Sequence, residues 1–439
     1  MQINGSAGMR QCRERLHRIA AVAAFVAAEQ GLGSTGLKVL PPPLLGMVLL
    51  FAALLAAERL GGPGLAGAAF SALEPGYRFL LKWAPVFFIP ALVRLPLVEA
   101  HFDFGELVRI GLLLLLGSTL QLAAVARLAV AFPAGSAALG DDDQKGSAAA
   151  AAAGGSPPAQ YPRPGRPYRR SWLPAYAVIM AFAVLASRAG LLVGVAETAF
   201  LLCASLLAFV AGCSLPALLR NFMHPIFVGV AGCWIAVSLW AAQAGPDTGF
   251  YDVLVRYSSA TGAGPLMSMM LGPLVIALAL LLYERRALLR RDLAAVLGTS
   301  ALAALAGLFG TALLSRGLGV NPLVGAASVT RYCTAALALP AAASLGASQP
   351  LAVVMLVLSG FLGVLVGRPV LSFVGAKGSR ERGLSVGAVS HVLGTVTLSS
   401  WGEASAVPYS ALAFVLASGF TALFAAVPAV QRGLLWIVG

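Results

Sequence analysis

Charged side chains are scarce in this sequence. They make up 11% of its 439 residues, against 59% hydrophobic, and only 17 residues are acidic. A soluble globular domain carries about 25% charged residues, so water is the wrong solvent for most of the chain. Mean hydropathy, at +0.87, says the same. Cysteine is sparse too. Cys12, Cys203, Cys213, Cys233 and Cys333 form no CxxC and no paired pattern, which excludes a disulfide framework and indicates no metal site. Four of them lie in apolar runs, where cysteine acts as a small hydrophobe. Only four histidines occur, and they show no zinc spacing. The chain lacks a Walker loop, HExxH, GxSxG and any acidic pair suited to hydrolysis, so a catalytic centre is poorly supported and no cofactor or metal is expected. GLGSTG (31–36) spells GxGxxG but follows an alanine-rich helix rather than a strand, which argues against a dinucleotide role. The alternating ten-residue strands of an outer-membrane barrel are missing as well.

What the chain has is long apolar runs. LPPPLLGMVLLFAALLA (40–56), LVRIGLLLLLGSTLQLAAVARLAVAF (107–132) and GPLMSMMLGPLVIALALLLY (264–283) are each near the ~20 residues a helix needs to cross hydrocarbon. The expected fold is an all-α polytopic membrane protein with about 12–13 membrane segments. Spans are expected at 16–32, 38–58, 79–98 and 107–132, then near 172–189, 191–212, 224–242, 264–284, 292–315, 320–346, 350–373, 382–400 and 407–430. Pro85, Pro90 and Pro96 should kink or interrupt the third. His224, ahead of Pro225, reads as a helix start at the interface.

The net charge of +13 sits in short arginine clusters: RQCRER (10–15), RPGRPYRR (163–170), ERRALLRRD (284–292) and KGSRER (377–382). Basic connections fix topology by staying on the side from which insertion starts. No aromatic–basic interleaving accompanies them, so no nucleic-acid partner is expected. Span parity puts the first three clusters on one side. KGSRER joins them only if 320–346 enters and returns without crossing.

One composition break stands out. Residues 133–171, rich in Ala, Gly, Ser and Pro, read as a flexible linker. It divides the chain into membrane domains at 1–132 and 172–439.

Three segments of the second domain are too polar and small-residue-rich for ordinary spans: SSATGAGPLMSMMLGP (258–273), NPLVGAASVTRYCTAALALP (321–340) and VGAVSHVLGTVTLSS (386–400). Glycine and proline interruptions in hydrophobic segments point to discontinuous transport helices. A helix broken at mid-membrane frees backbone N–H groups at a positive end, which suits a small carboxylate. Candidate substrate contacts are Ser328, Thr330, Arg331 and Thr334, with Ser390, His391, Gly394, Thr395 and Thr397 opposite. Asn321, Ser268 and Gly264 are further candidates for the cavity lining. Arg331 fits two readings. It is a bidentate partner for a carboxylate, or a structural arginine that snorkels to the interface. His391 also fits two: a proton carrier, or a neutral histidine bonding backbone across a tight crossing. Gly363 and Gly367 form a GxxxG helix-packing surface.

The motifs also resemble a known family. LPPPLLGMVLLFAALLA with FLLKWAPVFFIPALV looks like the LrgA/CidA type. LGPLVIALALLLYERR, SVTRYCTAALAL and RGLSVGAVSHVLGTVTL carry the LrgB/CidB pattern. The fusion of both halves, together with VPAVQRGLLWIVG, resembles the plant and algal branch of plastidal glycolate/glycerate translocators. Bacterial relatives usually read SVTTPIA where SVTRYCTAA stands, so Arg331 belongs to the plastid-type features. The departures are a short N-terminal stretch without a clear transit peptide and the run SHVLGTVTLSSWGE. The resemblance implies exchange of glycolate and glycerate across the chloroplast inner envelope in photorespiration, with proton coupling. It also implies an elevator-like transport domain with inverted repeats, whose boundary is expected near 286–291. A homo-oligomer such as a dimer is compatible with such a carrier. The rival functions are a holin-like or murein-hydrolase-regulating membrane protein and a pyruvate/lactate-type monocarboxylate carrier.

Overall fold

The computed structural model describes residues 3–34, 41–98, 102–132, 172–216 and 225–439, with side chains from residue 13 onward. The linker at 133–171 and His224 lie outside them. The described residues are helical and contain no strand. In chain order the helices begin with α1 Ile3–Ser34, α2 Pro42–Val93, α3 Phe104–Ala131, α4 Leu173–Arg188, α5 Val193–Cys213 and α6 Pro225–Ala244. Next come the short α7 Phe250–Ser258 and α8 Ala263–Ser268, then α9 Leu271–Glu284, α10 Arg286–Arg291 and α11 Leu293–Gly317. The chain closes with α12 Pro322–Ser328, α13 Ala335–Ser344, α14 Gln349–Phe373, α15 Ser379–Ser400, α16 Val407–Ala425 and α17 Pro428–Val438. Among the described residues, 8 helical stretches are long and apolar enough to cross a membrane, and α4 and α13 are shorter apolar helices. The protein is a multi-pass membrane protein.

Several expected spans take a different form. The segments 38–58 and 79–98 lie in the stretch labelled α2, which Gly62, at φ 74°, ψ 177°, breaks into two helices. Only a residue without Cβ turns there at little cost. Pro85 and Pro90 do not interrupt α2, and the helix ends ahead of Pro96, which opens a short 3₁₀ turn at Leu95–Leu97. The final span stops at Ala425, before Pro428 starts the separate α17. The break expected in 258–273 is present, since Met269 and Met270 separate α8 from α9.

Two compact units emerge, each drawing on both sides of the linker. Among the described residues, one draws on 3–80, 102–132 and 272–439, the other on 81–98 and 172–271. In the smaller, Trp234 donates its indole N–H to Val93 O at 2.9 Å. The Arg256 guanidinium reaches both carboxylate oxygens of Glu197 at 3.0 Å.

The larger unit holds two hairpins of opposite sense. The first is α12–α13. Its start lies beside the beginning of α3, where the Asn321 N–H donates to Glu106 Oε1 at 2.7 Å. Its end lies beside the end of α16, where Ser344 Oγ donates to Ala425 O at 3.2 Å. Both ends lie near α17, since Leu345 packs with Leu434 and Val438 while Gly325 meets Val438. Thus 320–346 goes in and comes back out at one end of the bundle.

The second hairpin is α15, expected as a crossing span and instead folded back on itself at His391. The Ser379 and Ser405 hydroxyls meet at 2.7 Å, and Arg382 grips both Glu403 oxygens at 2.6 Å. The two ends of α15 therefore lie together. That end is the opposite one, because Arg380 donates to Ala129 O and Phe132 O at the finish of α3. Helices α11 and α14 each run up to a hairpin, in opposite directions. The link between these two span-plus-hairpin pairs is 345–348. Glycines let the pairs close up, as the GxxxG pattern predicts. A Cβ on Gly363 would strike Ser390 Oγ, and one on Gly367 would come 2.9 Å from the Trp401 ring.

Candidate functional site

The hairpin tips meet in the middle of the larger unit. At the first tip the chain leaves α12 after Ser328, turns through Val329–Cys333, and resumes as α13 after an extended Thr334 (φ −67°, ψ 144°). No side chain caps α13. The Thr334 N–H donates to Ser418 Oγ at 2.8 Å, and Cys333 Sγ donates to Ser418 O at 3.5 Å, which fixes the turn on α16. The first N–H groups of an α-helix have no partner within it, and its N-terminus carries partial positive charge. For α13 that end stands at the tip.

The second tip is a single residue. His391 adopts φ 52°, ψ −135°, a region costly for any residue with a Cβ. The chain around it is held by Thr395, whose hydroxyl donates to His391 O at 2.9 Å and meets Ser410 Oγ at 2.7 Å.

Packing joins the tips. Tyr332 clusters with Val389 and with Leu122 of α3, and the His391 imidazole faces the backbone of Arg331 and Tyr332. Helix α14 closes the third side. A Cβ on Gly360 would lie 3.5 Å from His391 Nδ1 and 3.8 Å from Ser390 O. Around this junction Thr330 Oγ1, Arg331 Nε, Ser359 Oγ, Ser390 Oγ and His391 Nε2 are buried without a hydrogen-bond partner. Buried polar groups in folded proteins are nearly always paired, and leaving one unpaired costs about 1–3 kcal/mol. Such a concentration on two tips and one helix suits a polar guest.

Arg331 is 1% exposed. Its Nη1 donates to Leu113 O on α3 at 2.7 Å, and its guanidinium carbon lies 4.6 Å from the Tyr332 ring centre. The snorkelling alternative is not what is seen, because the side chain stays buried and turns toward α3. No acidic side chain pairs with it among the described residues.

The other candidates divide. Ser328 and Thr397 donate within their own helices, to Val324 O at 2.7 Å and Leu393 O at 2.8 Å. Gly394 lets the limbs of the second hairpin touch, since its Cβ would lie 2.5 Å from Val386 and 2.7 Å from Ser390. Asn321 caps α12 at the hairpin mouth, its side chain accepting from the Leu323 N–H at 2.9 Å. Gly264 and Ser268 belong to the smaller unit, against Tyr257 and Phe87 O respectively. Sequence reasoning missed Ser359, Tyr332, Ser410 and Ser418. The Ser359–Gly360 pair inside an apolar run was a readable signal for the first of these. Ser410 and Ser418 look like ordinary helix residues until the hairpins are folded. A cavity of about 540 Å³ opens at the mouth of the second hairpin, lined by Lys377, Ser379, Arg382, Glu403 and Ser405. No group able to hold a metal ion occurs among the described residues.

The LrgB-like family matches residues 205–430, which contain both hairpins. The chain is 26% identical over 403 residues, 91% of its length and 76% of the other, to the Arabidopsis thaliana protein named plastidal glycolate/glycerate translocator 1, chloroplastic. It is 32% identical over 156 residues, 36% of its length and 67% of the relative, to an uncharacterized protein of Haemophilus influenzae. Identity to the uncharacterized protein YxaC of Bacillus subtilis is 26% over 170 residues, 39% and 74% of the two chains. No solved structure matches the chain.

Proposed function

Since this chain belongs to the LrgB-like family, we propose that it is a secondary carrier, not an enzyme, exchanging glycolate and glycerate across the plastid inner envelope. The observation that carries this reading is the opposed pair of hairpins with unpaired polar groups buried where they meet. The similarity to the Arabidopsis translocator supports the choice of substrate. A small 2-hydroxycarboxylate offers one anionic group and one or two hydroxyls. Its carboxylate supplies the counter-charge that Arg331 lacks and accepts from the free N–H groups of α13. Its hydroxyls fit Thr330, Ser359 and Ser390. His391, next in the chain to Ser390, can bring a proton with the anion, since a carboxylate between it and Arg331 balances both cations. Residues 1–132 form an LrgA-like domain and 172–439 an LrgB-like transport domain in this reading. A pore-former of the holin type has no use for a buried cation and opposed hairpin tips.

Reconstituted vesicles test the proposal. Preloaded glycerate should accelerate labelled glycolate uptake, and the exchange should saturate. Arg331→Ala should lower it by about 100-fold or more, the scale of losing one partner of a buried charge pair. Unsaturable uptake that ignores Arg331→Ala would sink the carrier reading.

A further inference from the structure

The Arg331 guanidinium is a buried cation with no acidic partner among the described residues, yet it is not loose. Its Nη1 takes the Leu113 carbonyl at 2.7 Å. Its Nη2 fills the space above Gly117, one turn further along α3. A Cβ there would collide with Nη2 and stand 2.8 Å from the guanidinium carbon. Gly111, on the same helix, has nothing within 4 Å of its Cβ position. So α3 offers one notch, at Gly117, and a hairpin tip inserts its arginine into it. Helix α3 lies outside the residues matched by the LrgB-like family.

We propose that Gly117 and the Leu113 carbonyl form a parking place for the Arg331 guanidinium, from which a substrate carboxylate must win it. The Leu113 carbonyl and the Tyr332 ring are neutral and are poor counter-groups for a buried guanidinium, which needs a formal negative charge to offset its desolvation. A carboxylate offers that charge and bidentate geometry. The parked contact leaves the cation partly satisfied, and substrate affinity is reduced by the strength of that contact, as for any competing state. Gly117 is a positioning residue in this scheme, acting through Arg331. The inference rests on the carrier reading above and adds a competitor inside the protein.

The experiment measures KM and maximal exchange rate for glycolate with the full chain in vesicles. It uses Gly117→Ala, Gly111→Ala, Arg331→Gln and the double variant Gly117→Ala/Arg331→Gln. Gly117→Ala should lower KM about tenfold, the size of one charge-assisted hydrogen bond, with little change in maximal rate. Gly111→Ala should match the unaltered chain. In the Arg331→Gln background Gly117→Ala should leave exchange unchanged and shift the melting temperature no more than Gly111→Ala does, the shift helix propensity alone gives. An unchanged or raised KM in Gly117→Ala overturns the proposal, as does an effect that persists with Arg331→Gln, which would mark Gly117 as plain helix packing. If Gly117→Ala alone fails to fold, the double variant should fold again, and its failure to do so also overturns the proposal. Absence of saturable exchange by the unaltered chain instead removes the carrier reading, and competition for glycolate with it. Saturable exchange with no effect of Gly117→Ala removes the parking place alone.

Discussion

The two hairpins solve the same geometric problem in different ways. The first turns over five residues, Val329–Cys333, and places a cation at the turn. The second turns at one residue, His391, whose positive φ stores backbone strain in place of charge. Each tip is anchored to α16 by one serine, Ser418 for the first and Ser410 for the second. The pair thus divides the labour. One tip holds a buried cation, and the other holds a backbone conformation that its residue disfavours.

The largest effect that would break this comparison comes from His391→Gly. Glycine adopts φ 52°, ψ −135° freely, so relief of strain of about 1–3 kcal/mol should outweigh the roughly 0.5–1 kcal/mol that glycine loses in conformational entropy. The variant is expected to melt higher in detergent, by about 1 kcal/mol of stability. Glycolate exchange should nonetheless fall at least about tenfold, because the imidazole at the junction is gone. A lower melting temperature would mean that the imidazole holds the tip, and the charge-versus-strain division would be wrong.

The packing between α14 and the second hairpin is the next point of attack. Gly363→Ala puts a methyl group against Ser390 Oγ, in a core with no slack, and should destabilise by about 1–3 kcal/mol. The same substitution at Gly310, mid-helix with nothing within 4 Å, is expected to stabilise by about 0.5–1 kcal/mol in the same thermal melts. Equal effects at both positions would show that α14 is not pressed against the tip.

Much of this was legible in the chain before it was folded. Low charge and ~20-residue apolar runs gave the medium and the helices. The polar, glycine-rich interruptions at 321–340 and 386–400 marked both broken segments, because such residues are rare in ordinary membrane spans. Parity gave the return of 320–346. The second reversal was not readable, since nothing in SHVLGTVTL distinguishes a kinked crossing from a fold at His391 until Ser379 meets Ser405. Proline was a misleading sign in α2. Neighbouring groups can satisfy what Pro85 and Pro90 release, while Gly62 is the residue of α2 with non-helical backbone angles. Arg331 was legible as a buried cation, but its partner was not, because Leu113 contributes a main-chain carbonyl that no side-chain pattern announces.

The smallest effect sharpens the comparison within the first hairpin itself. Its two half-helices start differently. Asn321 caps α12 with its own side chain, accepting from the Leu323 N–H at 2.9 Å, whereas Thr334 gives α13 no side-chain cap. A cap satisfies one of the orphan N–H groups that an anion would otherwise take. The capped start is at the mouth and exposed, and the uncapped start is at the buried tip. Asn321→Ala should therefore cost about 1 kcal/mol of stability and leave KM for glycolate within about twofold, since 1.4 kcal/mol of lost contact would give tenfold. A KM raised tenfold or more would move the anion from the uncapped end of the hairpin to the capped one.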